Sequence, residues 1–169
     1  MKCTRYEYLV KSTVALEQLF KIEELGLKKD KILQISGNTP QWAQFFENSI
    51  STTYPEIDAH KLPYEDNTYD CVAFDQVLEH TRKPWICVEE ARRVLKPGGI
   101  IIITSPFFYQ EHPHPGDYWR FTTSGLTVLV ENFSKNELSF YPSNTCIQLA
   151  FSKLKIPWQD TINVSMHGR

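Results

Sequence analysis

Two stretches of this chain gather side chains able to do chemistry. In the first, His80 closes the sequence VLEH, and an imidazole that titrates near neutrality can take a proton from a hydroxyl or an amine. A hydrogen bond from its ring to backbone, holding a loop in place, would account for the same residue. The second stretch, QEHPHPGDYW, brings Glu111, His112, His114 and Asp117 close together. These are metal-ligand types, but the prolines hold the rings apart in a stiff segment and no ligand pair at helical spacing supports them. A loop that faces a substrate is the better reading, with no metal expected. Phe107, Phe108, Tyr109, Tyr118, Trp119 and Phe121 surround it and form either a lid over a ligand or a cover over the end of a sheet. His112, Tyr118 and Trp119 are therefore the candidates for substrate contact, and Asp117 with Arg120 is expected to brace the loop.

The elements that must position these groups alternate. A helix after Ser12 or Thr13, with Ala15, Leu16, Leu19, Phe20 and Ile22 on its apolar face, ends at Gly26. Lys31–Ser36 reads as a strand leading to Gly37, Gln41–Asn48 as a helix, and Ile50–Tyr54 and Asp70–Asp75 as strands. Pro84 opens a helix with an inward stripe of Val88, Ala91 and Leu95, which the turn Lys96–Gly99 stops before the buried strand Ile100–Thr104. Beyond it, Ser124–Phe133 reads as a helix, Glu137–Tyr141 as a strand, Asn144–Leu154 as a helix with Ile147, Ala150, Phe151 and Leu154 inward, and Thr161–Met166 as a closing strand. Strand, helix, glycine turn and strand make a crossover. The predicted fold is α/β, a doubly wound, mostly parallel sheet with helices on both faces. Ligands of such sheets bind beyond the carboxyl ends of the strands, where Gly37–Pro40, Asp75–His80 and Ser105–Arg120 fall.

Composition narrows the function. With 169 residues, 41% hydrophobic and 13% aromatic, the chain suits a single domain over residues 1–169. A net charge of -2 without runs of one sign argues against a dedicated nucleic-acid binder or a polybasic membrane anchor. The longest apolar run, Ile100–Ile103, is too short to span a membrane, and the start MKCTRYEYLV has no signal-peptide core, so a soluble, cytoplasmic protein is expected. Cys3, Cys71, Cys87 and Cys146 form no CxxC pair; reduced thiols are expected, with Cys71 and Cys87 buried.

The run from Leu62 to Phe121, with LPYEDNTYD, VLEH, RVLKPGG and DYWRF in that order, resembles the class I S-adenosylmethionine-dependent methyltransferases of the small-molecule group. The resemblance covers about the middle third of the chain, and its DYWRF ending is similar to a subgroup linked to modification of sugars. It implies a Rossmann-like sheet with one antiparallel strand and S-adenosylmethionine as cofactor. Gly37 matches the family's glycine loop, where a missing side chain lets backbone approach the methionine part. Here KILQISGNTP keeps one glycine, with Gln34 where the family has an acid and Thr39 in place of the second glycine. Between Gly37 and Leu62 there is room for only one helix and one or two short strands, so the cofactor half is compressed.

The resemblance places Asp58 beside adenine with Ala59 and Leu62, leaves Glu56 as a rival for the ribose, and sets Asp75 and Gln76 beside the methionine group. His80 becomes the acid or base, or a residue packed against the cofactor, and the aromatic lid could enclose a sulfonium or a sugar face. The implied activity is methyl transfer to a small-molecule oxygen or nitrogen, a sugar among the candidates, with a homodimer left open. The alternative is a degenerate, non-catalytic relative acting by association. A nicotinamide-dependent oxidoreductase is disfavoured because no G-x-G-x-x-G is present.

Overall fold

Three strands expected from the sequence, β1 (Lys31–Ile35), β3 (Tyr69–Asp75) and β4 (Leu95–Pro106), lie side by side in the middle of one sheet. The computed structural model describes residues 31–35, 48–107, 109–113, 115–133, 135–141 and 147–153. With β2 (Asn48–Ser51), β5 (Lys135–Tyr141) and β6 (Ile147–Lys153), the sheet order is β2-β1-β3-β4-β6-β5. Strands β2, β1, β3 and β4 are parallel, and β6 runs antiparallel to both of its neighbours. This is the α/β, mostly parallel sheet that the sequence predicts, with one reversed strand among those described.

The helix α1 (Pro84–Val94) begins with proline in its first turn, where the missing N–H is harmless, and turns Cys87, Val88, Ala91 and Val94 inward. It packs with α2 (Thr123–Leu129), capped by the Thr122 hydroxyl accepting from the Gly125 N–H at 3.0 Å, over Leu33, Ile35, Val72, Phe74, Ile101 and Ile103. Alternate strand residues point to the opposite face, and Ile32, Cys71, Ala73, Ile100 and Ile102 are buried as well. The sheet is thus covered on both faces, and Cys71 and Cys87 are buried free thiols. The helix expected to end at Gly26, the loop Gly37–Pro40 and the closing strand Thr161–Met166 lie outside the described residues.

Several boundaries differ from the sequence reading. Asn144–Leu154, expected as a helix, contributes β6, which pairs from Ile147 to Lys153 with β4 on one side and β5 on the other. Its apolar residues satisfy helical spacing at 147, 150 and 151 and strand alternation at 147, 149 and 151. The open backbone edge of the buried strand β4 decides between them, because its N–H and C=O groups require partners. Asn48 belongs to β2 and not to a helix, and that edge strand stops at Ser51, short of Tyr54. Leu95 is the first residue of β4. Between Leu95, opposite Tyr69, and Ile100, opposite Cys71, the register slips over Lys96–Gly99, expected as a separate turn and found as a bulge within β4. Gly98 adopts φ 81, and a Cβ on Gly99 would lie 2.8 Å from the Lys96 carbonyl oxygen, so this bulge requires its glycines.

Candidate functional site

The chain runs from β1 to β2 on one side and returns to β3 on the other, so the direction of winding reverses between β1 and β3. In sheets of this kind ligands bind in the crevice at such a switch point, beyond the carboxyl ends of the strands. On the β3 side the chain ends in Asp75, whose carboxylate accepts from the Thr104 hydroxyl at 2.6 Å. Gln76 follows with φ 58, a left-handed conformation unfavourable for a side chain-bearing residue, and its N–H donates to the Thr104 carbonyl and hydroxyl, both at 3.1 Å. The Gln76 side-chain nitrogen is buried without an acceptor. A single turn of 3-10 helix, Leu78–His80, then carries Glu79 and His80.

The loop after β4 folds back onto this turn. The Tyr118 N–H donates to the Glu79 carbonyl at 2.7 Å, the Trp119 indole N–H to the Thr81 carbonyl at 2.8 Å, and His80 Nδ1 meets the Gly116 carbonyl at 2.5 Å. Since a carbonyl only accepts, Nδ1 carries the proton and Nε2 of the neutral ring keeps its lone pair. Burial holds the His80 pKa below its ordinary value, which favours that neutral form. Asp117 and Arg120 brace the loop as expected: Nη1 and Nη2 meet the two carboxylate oxygens at 2.5 and 2.7 Å, and the guanidinium also reaches the carbonyls of Tyr109 and Gln110. The Asp117 side chain is 1% exposed, and Arg120 holds its carboxyl well below the usual carboxylate range.

Three potential ligands of a cation converge here. One atom each from Glu79, His80 and His112 lie within 4.8 Å of one another. The Glu79 side chain is fully buried; Ser105 Oγ stands 3.4 Å from Oε2, while Oε1 has no hydrogen-bond partner and faces His80 Nε2 at 3.9 Å. Burial above all pushes its carboxyl up to about 8. His112 turns Nδ1 towards Asp117 at 3.0 Å and crosses the His80 ring edge-on, with centroids 4.8 Å apart.

The sequence candidates thus divide. Asp75, Gln76, His80 and His112 gather around the end of β3 and the loop beyond β4. Tyr118 and Trp119, 45% and 36% exposed, sit on the flank towards α1, with Arg82 over the Tyr118 ring and Trp119 against Trp85 and Phe121. Asp58 Oδ1 accepts from the His60 N–H and meets its ring at 2.6 Å, so a local turn occupies it, and Glu56 is exposed. Ala59 and Leu62 are core residues, and the Leu62 N–H donates to Glu90 at 2.9 Å. Gly37 lies outside the described residues. Sequence reasoning passed over Glu79, because nothing in VLEH marks its carboxyl as buried; only the fold shows it.

Residues 31–103 match the family described as a methyltransferase domain. Over these residues the chain is similar to methyltransferase domains. Curated proteins are similar over part of the chain: an uncharacterised 37.1 kDa protein of transposon Tn4556 from Streptomyces fradiae is 47% identical over 49 residues, 29% of this chain and 14% of that protein. An uncharacterised methyltransferase of Schizosaccharomyces pombe is 37% identical over 59 residues, 35% of this chain and 21% of that protein. The chain therefore spans well under half the length of these relatives. The chain also has the fold of the N-methyltransferase NodS from Bradyrhizobium japonicum WM9, solved in complex with S-adenosyl-L-homocysteine. That likeness has a TM-score of 0.66 at 14% identity and covers 89% of this chain and 88% of the other. No helix among the described residues is long and apolar enough to cross a membrane.

Proposed function

We propose that this protein transfers a methyl group from S-adenosylmethionine to an oxygen or nitrogen of a small molecule. The observation that carries the reading is the unsatisfied Gln76 amide beside a strained backbone at the end of β3, in a chain similar to methyltransferase domains. Buried polar atoms without partners cost free energy and persist where a ligand supplies the partner. On this reading Asp75, held by Thr104, and the Gln76 amide flank the methionine part of the cofactor, and Gly37 has the role that the resemblance implies. Asp58 keeps one carboxylate oxygen for the adenine amine.

The acceptor enters from the loop side. The sulfonium is already a good leaving group, so the protein has mainly to align the nucleophile with the methyl carbon. The acceptor lone pair attacks that carbon, the carbon–sulfur bond breaks, and S-adenosylhomocysteine leaves. His80, with Nδ1 tied to Gly116, offers Nε2 to the acceptor's proton. The exposed rings of Phe107, Tyr118 and Trp119 suit the flat face of a sugar, and the DYWRF ending supports that acceptor class. Incubation of the full chain with methyl-labelled S-adenosylmethionine and a panel of sugars and sugar nucleotides tests this. Label transfer to at least one hydroxyl or amine acceptor is expected; no transfer, together with no binding of S-adenosylhomocysteine, supports the non-catalytic alternative.

A further inference from the structure

Glu79 raises a question that methyl transfer does not answer. Its carboxyl group has no exposed surface and Oε1 has no hydrogen-bond partner, while the Arg120 guanidinium is committed to Asp117. What Oε1 faces instead, at 3.9 Å and beyond hydrogen-bond reach, is the lone pair of an imidazole nitrogen. His112 Nδ1 lies 3.0 Å from Asp117 Oδ2 and 3.1 Å from the Gln110 carbonyl, two acceptors that claim the Nδ1 proton and leave Nε2 as the atom available to a ligand.

We propose that Glu79, His80 and His112 form a binding site for one divalent first-row transition-metal ion of the zinc type. Two imidazoles and one carboxylate, supplied by the 3-10 turn and the loop beyond β4, are a borderline donor set that favours Zn2+ or Co2+ over Mg2+ and Ca2+. Both rings already have the outer partners that metal-bound histidines require, a carbonyl oxygen for His80 and a carboxylate for His112. The ion would take the place of the proton on Glu79 and give Oε1 the partner it lacks. Ligand atoms around tetrahedral zinc stand about 3.4 Å apart, so donors within 4.8 Å of one another close on an ion by shifts of about 1 Å, with His112 on a loop. Three protein ligands leave at least one coordination position open towards the crevice. A metal on His80 Nε2 removes that lone pair from proton transfer, so the role given to His80 above belongs to the metal-free protein.

The site does not depend on the methyltransferase reading, and its test uses metal binding alone. The full chain, stripped with a chelator and desalted, is titrated with Co2+ while visible absorption is followed, then with Zn2+ by calorimetry. One ion per chain is expected, with d–d bands of a tetrahedral or five-coordinate centre that Zn2+ abolishes. Glu79→Gln keeps the shape of the buried side chain, and His112→Ala alters a half-buried loop position; each should weaken Zn2+ binding at least tenfold, with thermal melts reporting whether the variant is folded. Absence of stoichiometric binding by the native chain, or His112→Ala binding Zn2+ as tightly as the native chain, would overturn the proposal.

Discussion

Arg93, the first residue of RVLKPGG, should prove to be a structural clamp whose loss loosens the edge of the cofactor crevice. Its guanidinium donates to the carbonyls of Leu62 and Tyr64 at 2.9 and 2.8 Å, to both oxygens of Glu90 at 3.0 and 2.8 Å, and to Asp66 at 2.7 Å. The segment Leu62–Asp66 has no strand or helix of its own, so these bonds and the one from the Leu62 N–H to Glu90 fix it on α1. In Arg93→Met the Asp66 pair, largely in solvent, contributes almost nothing. Two carbonyl bonds and the partly buried Glu90 fork contribute about 1 kcal/mol each once solvent competition is counted, roughly 2–3 kcal/mol in total. For a chain of this size that lowers the melting temperature by about 5–10 °C, measured by calorimetry or circular dichroism. Affinity for S-adenosylhomocysteine should fall as well, because Asp58 and Ala59 lead directly into the clamped segment. A melting temperature within about 2 °C of the native protein would refute this reasoning, and full rescue by Arg93→Lys would show that charge, not the planar fork, holds the segment.

Glu90 gives the same clamp a pH signature. The Arg93 hydrogen bond, ahead of other causes, holds its carboxyl below the ordinary value of 4.5, so its stabilising effect is complete above that value and fades as pH falls through the lower, folded value. Glu90→Gln should therefore melt lower than the native protein at pH 7 and lose less on acidification below about pH 4.5, as melts across pH 3–7 will show. Arg120→Ala leaves the buried Asp117 carboxylate without its guanidinium and with only the His112 donors, and should cost about 3 kcal/mol, with faster hydrogen exchange at the Tyr118 amide as the local readout. His80→Gln should lower turnover about 100-fold in metal-free assays with little change in S-adenosylhomocysteine affinity.

The central crossover was legible because each of its signals is local. Proline at the start of α1, a stripe spaced by three and four, a glycine turn and a β-branched run specify helix, stop and buried strand without reference to the rest of the chain. Strand β6 was not, since its residues fit both periods and only the neighbouring edge of β4 selects one. The brace between Asp117 and Arg120 could be read from their spacing. The convergence of Glu79 and His80 with His112 could not, because it depends on the loop beyond β4 folding back so that Tyr118, Trp119 and Gly116 bond to the 3-10 turn. The adenine-side candidates were placed by position in a motif. The local turn at His60 and the reach of Glu90 to Leu62, which occupy their polar atoms, leave no mark in a motif.

Titration of the full chain with S-adenosylhomocysteine, by calorimetry and by thermal melting, tests most directly whether the crevice between β1 and β3 is a cofactor site. The account predicts one saturable site and, at ligand a hundredfold above Kd, a stabilisation of about 2.7 kcal/mol, which corresponds to a rise of roughly 5–10 °C in melting temperature. No heat and no shift at millimolar S-adenosylhomocysteine would contradict it.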